Sequence, residues 1–364
     1  MKRRFVLCCV AVLIAVVVSS STLGAADRGA RLHRRITVEW LRGTCNACSS
    51  HQIDRFQFVD DRGAWALSES VSEKGNGAGS STVLHTTDGG RSWKQAPFLD
   101  KDGEKLPSVF WFTDSKHGWL SWVDDGAVDH LQKTDDGGLT WTILPSQGAL
   151  STIQFFNRHE GILVASIAFR QDEFGVTQDG GKSWTKTQLD IQHTVATCFL
   201  NRDIGWVIGT AAGSEAEGQL GVLRTVDGGK NWAWGPLTGF QFATVQDVAR
   251  VNDGTGWVLL WMGGDEGSRL LETRDGGVSW NTHHDESVQG KGKYLTAIKF
   301  VNNSVGYLFY DDAANDRHYL LDTTDGGKTW QPTQITRSVS HCELVGVEVW
   351  CSAGVDFLKI RTVE

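Results

Sequence analysis

The chain has 364 residues, a formal net charge of −8 and 40% apolar residues. That composition supports a full core and excludes a disordered chain, and its acidic balance argues against nucleic acid, whose phosphates need a basic face. Glycine (42) and tryptophan (16) are abundant while proline (5) and methionine (2) are scarce; this favours many tight turns, each paired with a large aromatic, and hence a repeat of short strands over a helical protein.

Lys2, Arg3 and Arg4 precede an apolar run from Phe5 to Val18, and small or polar residues follow. This is the order of a secretory signal, with a cut after Ala25 or Ala26. The run is shorter than the ~20 residues of a membrane span. Residues 1–26 therefore read as a signal, and 27–364 as an exported chain that is not an integral membrane protein once cut. The first mature segment, R-I-T-V-E-W-L-R from Arg35 to Arg42, reads as an outer strand. Next come Cys45 and Cys48 in C-N-A-C, which lacks a second C-x-x-C and reads as a local disulfide. Cys342 and Cys351 flank V-G-V-E and are expected to pair across a hairpin, as an oxidising compartment allows. Cys198 is left free in an apolar run.

From residue 86 a pattern recurs six times: T-T-D-G-G-R-S-W, T-D-D-G-G-L-T-W, T-Q-D-G-G-K-S-W, T-V-D-G-G-K-N-W, T-R-D-G-G-V-S-W and T-T-D-G-G-K-T-W. Its aspartates are Asp88, Asp136, Asp179, Asp227, Asp275 and Asp325, at spacings of 48, 43, 48, 48 and 50 residues. Its tryptophans are Trp93, Trp141, Trp184, Trp232, Trp280 and Trp330. Between these copies lies a second motif: an apolar residue, a polar turn, then Gly-Trp and an apolar run. It starts at Phe58, Phe112, Phe199, Val251 and Phe300, with a weaker copy at Phe156 and a degraded seventh at Leu344. Each unit reads as four strands. The first ends at the aromatic and the second starts at Gly-Trp. The third ends at the Thr of T-x-D-G-G, and the fourth starts at the Trp. The mature length divided by seven gives about 48 residues, which matches the period. The carboxylate of each D-G-G segment is expected to accept main-chain hydrogen bonds within its own turn, and each Trp to bury its ring against a neighbouring sheet. Six copies make a ligand or catalytic role for these aspartates implausible, and the D-x-D-x-D spacing of a calcium loop is absent.

The D-G-G-x-[S/T]-W copies resemble the Asp-box, or BNR, repeat, over essentially the whole mature chain. The form paired with a Gly-Trp strand at this period is most similar to the photosystem II stability and assembly factor family. That resemblance implies an all-β, seven-bladed propeller of four-stranded blades, a protein partner, no catalysis and no cofactor. The strand from Arg35 would complete the last blade, which lacks its own D-G-G copy, and so close the ring.

An alternative is a sialidase-like or other glycan-acting hydrolase, or a carbohydrate-binding lectin. The sialidase R-I-P segment is missing, and of the four tyrosines Tyr307 stands in a core Trp position. The xyloglucan-active enzymes with similar boxes use two propellers, and this chain has room for one. The run H-H-D-E at His283 is a weak candidate for a metal. The connections between second and third strands are the expected binding loops of a rigid scaffold. Over 68–81, 123–130, 165–174, 209–219, 262–269 and 310–318 they hold fourteen acids and four bases. Asp124, Asp125, Asp265, Glu266, Asp311 and Asp312 are the candidate binding residues of that face, and Asp129 and Asp172 belong to the same count. They would steer a basic protein segment or a cation.

Overall fold

The structure is a computed structural model, and it describes residues 35–45, 52–70, 80–96, 106–123, 129–145, 148–166, 171–212, 218–240, 242–263, 266–283 and 293–363. The signal, Cys48, Asp124, Asp125 and Asp265 lie outside the described residues.

The leading strands are β1 (Arg35–Leu41) and β2 (Thr44–Cys45). Blade 1 is β3 (Arg55–Phe58), β4 (Ala64–Ser70), β5 (Ser80–Thr86) and β6 (Ser92–Gln95). Blade 2 is β7 (Leu106–Phe112), β8 (Gly118–Val123), β9 (Asp129–Thr134) and β10 (Thr142–Leu144). Blade 3 is β11 (Ala149–Phe155), β12 (Gly161–Ser166), β13 (Glu173–Thr177) and β14 (Thr185–Gln188). Blade 4 is β15 (Ile191–Phe199), β16 (Gly205–Ala211), β17 (Leu220–Thr225) and β18 (Ala233–Pro236). Blade 5 is β19 (Thr244–Arg250), β20 (Gly256–Trp261), β21 (Ser268–Thr273) and β22 (Asn281–Thr282). Blade 6 is β23 (Lys293–Phe300), β24 (Gly306–Asp312), β25 (Arg317–Thr323) and β26 (Gln331–Ile335), and blade 7 starts with β27 (His341–Val345), β28 (Glu348–Ala353) and β29 (Asp356–Val363).

Within each blade the strands lie antiparallel in chain order. In blade 7 the fourth strand is β1, which pairs with β29 from Arg35↔Val363 to Leu41↔Phe357. The N-terminal segment thus completes the last blade, and β2 then adds in parallel to β6 of blade 1. Gly43 turns the chain between the two blades. Its N–H donates to Asp356 Oδ1 at 2.8 Å, and a Cβ there would meet the Val355 carbonyl oxygen at 1.9 Å.

The core consists of seven apolar clusters, one at each blade boundary. This explains the second strands: β8, β12 and β20 are buried on both faces, so their sequence is a continuous apolar run. The two sequence motifs meet across these boundaries. The Gly-Trp indole of one blade stacks on the aromatic that ends the first strand of the next: Trp65 on Phe112 at 4.1 Å, Trp119 on Phe155 at 3.5 Å, Trp257 on Phe300 at 3.6 Å. Indole N–H groups donate to the next D-G-G turn, Trp119 to the Gly180 carbonyl and Trp206 to that of Gly276.

Several sequence details shift. The aromatic of blade 3 is Phe155, because β11 ends there and Phe156 opens the turn. In blade 5 that position is Arg250, whose guanidinium lies 4.2 Å from the Trp206 ring, a cation–π contact in place of an aromatic pair. In blade 3 Ile162 occupies the Trp position, and Phe174 stacks on Phe199 at 5.7 Å instead. The fourth strand includes the Trp only in blade 1. In blades 2 to 6 it starts one residue later.

Candidate functional site

At one end of the ring each Thr-x-Asp-Gly-Gly segment forms the same turn. Both glycines are left-handed, for example Gly276 at φ 77° and Gly277 at φ 93°. The buried Thr hydroxyl is the hub. In blade 5 Thr273 Oγ1 donates to Asp275 Oδ1 (2.8 Å) and accepts from the N–H groups of Asp275 (3.4 Å) and Gly277 (2.9 Å). The same set recurs at Thr86, Thr134, Thr177, Thr225 and Thr323. The Asp takes further bonds from the residue four later: Asp179 accepts from the Ser183 N–H and hydroxyl, and Asp227 from the Asn231 N–H and side-chain amide. The Ser183 hydroxyl, then its N–H, hold the Asp179 carboxyl at about 2. The Asn231 N–H, then its side chain, do the same for Asp227. Asp88 and Asp275 also sit at about 2; burial opposes ionisation there, and the hydrogen bonds outweigh it. Asp136 and Asp325 are lowered in the same way. The six carboxylates thus have both oxygens engaged inside their own turns.

The Trp rings close this end. Trp93, Trp141 and Trp330 are buried and Trp184, Trp232 and Trp280 half-buried. The indole N–H of the first four blades donates to the second glycine's carbonyl. A second conserved geometry, absent from the sequence reading, braces the neighbouring turn between first and second strands. Asp60, Asp114, Asn157, Asn201, Asn252 and Asn302 each accept from the N–H groups two and three residues on. The first glycine of each D-G-G turn donates to the carbonyl of that turn, as Gly276 does to Gly254. The legible signal was an Asp or Asn at a fixed place after the aromatic. A shallow groove between blades 3 and 4 here is lined by Glu160, Gln178, Arg202, Asp203, Asp227 and Lys230. Arg202 pairs with Glu160 at 2.5 Å and with Asp203 at 3.6 Å, so most of its charge is internally matched.

The opposite end carries the connections between second and third strands and between blades. Two of the expected loop acids are not at the surface here. Asp129 and Asp172 are buried and join blades: Asp129 accepts from the Leu150 N–H at 2.9 Å and Asp172 from the Thr194 N–H at 2.7 Å. Burial pushes the Asp129 carboxyl up to about 6, against the bonds from Leu150 and Ser108. Asp311 is half-buried between His318 Nδ1 (2.7 Å) and the Ser338 hydroxyl (2.6 Å). Asp312 accepts from the Asn315 side chain at 2.8 Å and pins the blade 6 hairpin. Glu266 is exposed.

The largest departure from the rest of the surface at this end is aromatic. Phe242, in the connection from blade 4 to blade 5, is 92% exposed, and Trp261, at the end of β20, is 37% exposed. Trp261 is the register partner of Thr244, two residues beyond Phe242, so both lie at one corner of blade 5. Of the tyrosines, Tyr307 is fully buried with its hydroxyl on Thr362 (2.8 Å), and Tyr310 stacks on Tyr319.

Cys342 and Cys351 face each other across β27 and β28 and are disulfide-bonded. Cys45 is disulfide-bonded and Cys198 is free and buried. Among the described residues no group of three or more His, Cys, Asp or Glu is placed to hold a metal ion, and no helix is long and apolar enough to cross a membrane. His284, Asp285 and Glu286 of the H-H-D-E run lie outside the described residues.

Seven four-stranded antiparallel blades in a ring, closed by the N-terminal strand, define a seven-bladed β-propeller. The chain is similar to a solved structure of YCF48 bound to D1 peptide, with a TM-score of 0.60, 16% identity, and coverage of 89% of this chain and 97% of that one. It is similar to YCF48 from Cyanidioschyzon merolae at a TM-score of 0.62, 15% identity, 88% of this chain and 98% of that one. It also matches the GH74 xyloglucanase from Xanthomonas campestris at a TM-score of 0.57, 13% identity and 90% of this chain, spanning 54% of the enzyme. At these identities the likeness is one of fold. No protein-family model matches the sequence, and no curated protein matches it.

Proposed function

We propose that this chain is an exported, non-catalytic propeller of the Asp-box type, a binding or assembly scaffold comparable to the photosystem II stability and assembly factors. In this reading residues 1–26 direct export to the periplasm or beyond and are removed. The partner is a protein, held by the end that carries the inter-blade connections. The observation that carries this is the contrast between the two ends. The D-G-G carboxylates are consumed in their own turns, whereas the opposite end presents the open aromatics Phe242 and Trp261. A solved YCF48 structure that holds a D1 peptide is consistent with a propeller of this size seating a peptide.

The test is cross-linking mass spectrometry of the mature protein with its co-purifying partner, beside two charge-reversed variants. One carries Asp124→Lys, Asp125→Lys and Asp312→Lys. The other carries Arg158→Glu, Lys182→Glu and Lys230→Glu at the D-G-G end. Cross-links and on-rate should respond to the first set alone. A response confined to the second set places the partner on the other end. Turnover of xyloglucan or a sialoside by the wild-type chain would replace the scaffold reading with a hydrolase.

A further inference from the structure

Resting on the protein-partner reading, we propose that the corner of blade 5 beside the blade 6 hairpin is a docking site for a cationic, apolar peptide segment: an extended stretch of the partner with a Leu- or Phe-type side chain next to Lys or Arg.

Three observations converge on this corner. The first is the two exposed aromatics. A Phe that is 92% exposed leaves most of a ring in water, and burial of such a ring is a large share of the energy of any interface. The second is that the ridge beneath it is built. Phe240, Ala243 and Met262 pack on the apolar cluster that joins blades 4 and 5. Backbone bonds from Phe240 to Leu237, Ala243 to Phe240 and Met262 to Gly267 fix the connection. Phe240 and Ala243, on either side of Phe242 in the chain, are thus packed on this cluster, which lowers the ordering cost of binding.

The third observation is charge. Glu266 is exposed in the same blade 5 connection, and Arg269, three residues later, is folded back onto the Glu266 and Ser268 carbonyls at 2.7 and 2.9 Å. Blade 6 starts against this connection, since the Leu295 N–H donates to Ser268 Oγ at 3.0 Å. Its hairpin adds the exposed Asp316 beside Arg317 and the half-buried Asp312. The exposed Glu266 carboxylate in the connection that follows Trp261 suits a guanidinium or ammonium, which the ring faces also attract, whereas the blade 6 acids are offset by Arg317 and by Lys293, whose Nζ lies over the Tyr310 ring. An anionic segment would meet like charge here.

The test uses the full mature chain and fluorescein-labelled synthetic peptides in anisotropy titrations. One peptide alternates Leu or Phe with Lys and Arg. A second replaces the cations with Glu, and a third replaces the apolar residues with Ser. The first should bind in the micromolar range and weaken several-fold between about 50 and 300 mM salt, and the other two should bind at least tenfold more weakly. Phe242→Ser, a surface change that leaves the melting temperature in place, and Trp261→Ser, titrated well below its own melting temperature because most of that ring is buried, should each weaken the first peptide about tenfold. Glu266→Gln with Asp316→Asn should flatten the salt dependence; Asn suits the left-handed backbone at Asp316 (φ 50°). Equal binding of all three peptides, or no binding of the first, overturns the proposed chemistry. Binding that ignores Phe242→Ser and Trp261→Ser overturns the placement while the protein-partner reading stands. Binding of xyloglucan or sialyl oligosaccharides at this corner in place of peptides overturns both.

Discussion

Thr273→Val tests whether the D-G-G turns are held by the threonine hydroxyl or by the aspartate alone. Valine keeps the shape of the side chain, which is fully buried, and deletes three hydrogen bonds: one donated to Asp275 Oδ1 and two accepted from the Asp275 and Gly277 amides. The Gly277 amide is buried, so losing this acceptor costs roughly 1–3 kcal/mol, and the bond to a carboxylate adds a comparable amount. The extra buried methyl returns about 0.8 kcal/mol. The net loss is about 3 kcal/mol, or roughly 4 °C in Tm for a domain of this size. The assay is urea unfolding followed by tryptophan fluorescence, with Thr273→Ser as the control that keeps the hydroxyl. The midpoint should fall for Val and stay near wild type for Ser, with the m-value unchanged. If Val and Ser destabilise equally, or Val costs under about 0.5 kcal/mol, the hydroxyl is not the hub and the turn rests on the aspartate and glycines.

Gln132 is fully buried and both its amide atoms lack partners, at a position where blades 1, 4, 5 and 6 place Leu84, Leu223, Leu271 and Leu321. Gln132→Leu should therefore raise stability by about 1–3 kcal/mol in chemical denaturation, and a loss would reveal a buried water that satisfies the amide. Stability should also vary with pH in two opposite windows. Asp88, Asp179, Asp227 and Asp275 lie near 2 when folded, below the unfolded value, so their contribution is complete above about pH 4 and is lost as pH falls towards 2. Asp129, raised to about 6, binds its proton more tightly when folded, so its ionisation erodes stability as pH rises from about 4 to 6. Asp129→Asn should remove the upper slope alone; an unchanged slope would mean that Asp129 is ionised throughout. Deletion of residues 36–42 removes the strand that pairs with β29 and should give an aggregating protein with an open blade edge, whereas a stable monomer would show that the ring closes without it.

The repeat, its four-strand units, the place of each turn and the strand that closes the ring are legible in the amino-acid order. These are features written within one strand–turn–strand stretch: a Thr, an Asp and two glycines specify a turn whatever lies around it, and an apolar run marks a strand covered on both faces. What depended on the packing of one blade on the next was not legible. The motif of blade 5 reads from Val251, and only the Trp206 ring of the preceding blade makes Arg250 the substitute for the aromatic. Asp129 and Asp172 read as rim acids like Glu266. They are buried because the amides of Leu150 and Thr194, about twenty residues later in the chain, swing across the blade boundary to meet them. Phe242 shows the reverse, an apolar residue that the tertiary structure leaves in solvent, while Phe240, Ala243 and Met262 pack on the cluster between blades 4 and 5. Local hydrogen-bonding chemistry fixes the turns, but exposure at the loop end is set by contacts between segments far apart in sequence, and only the assembled ring decides it.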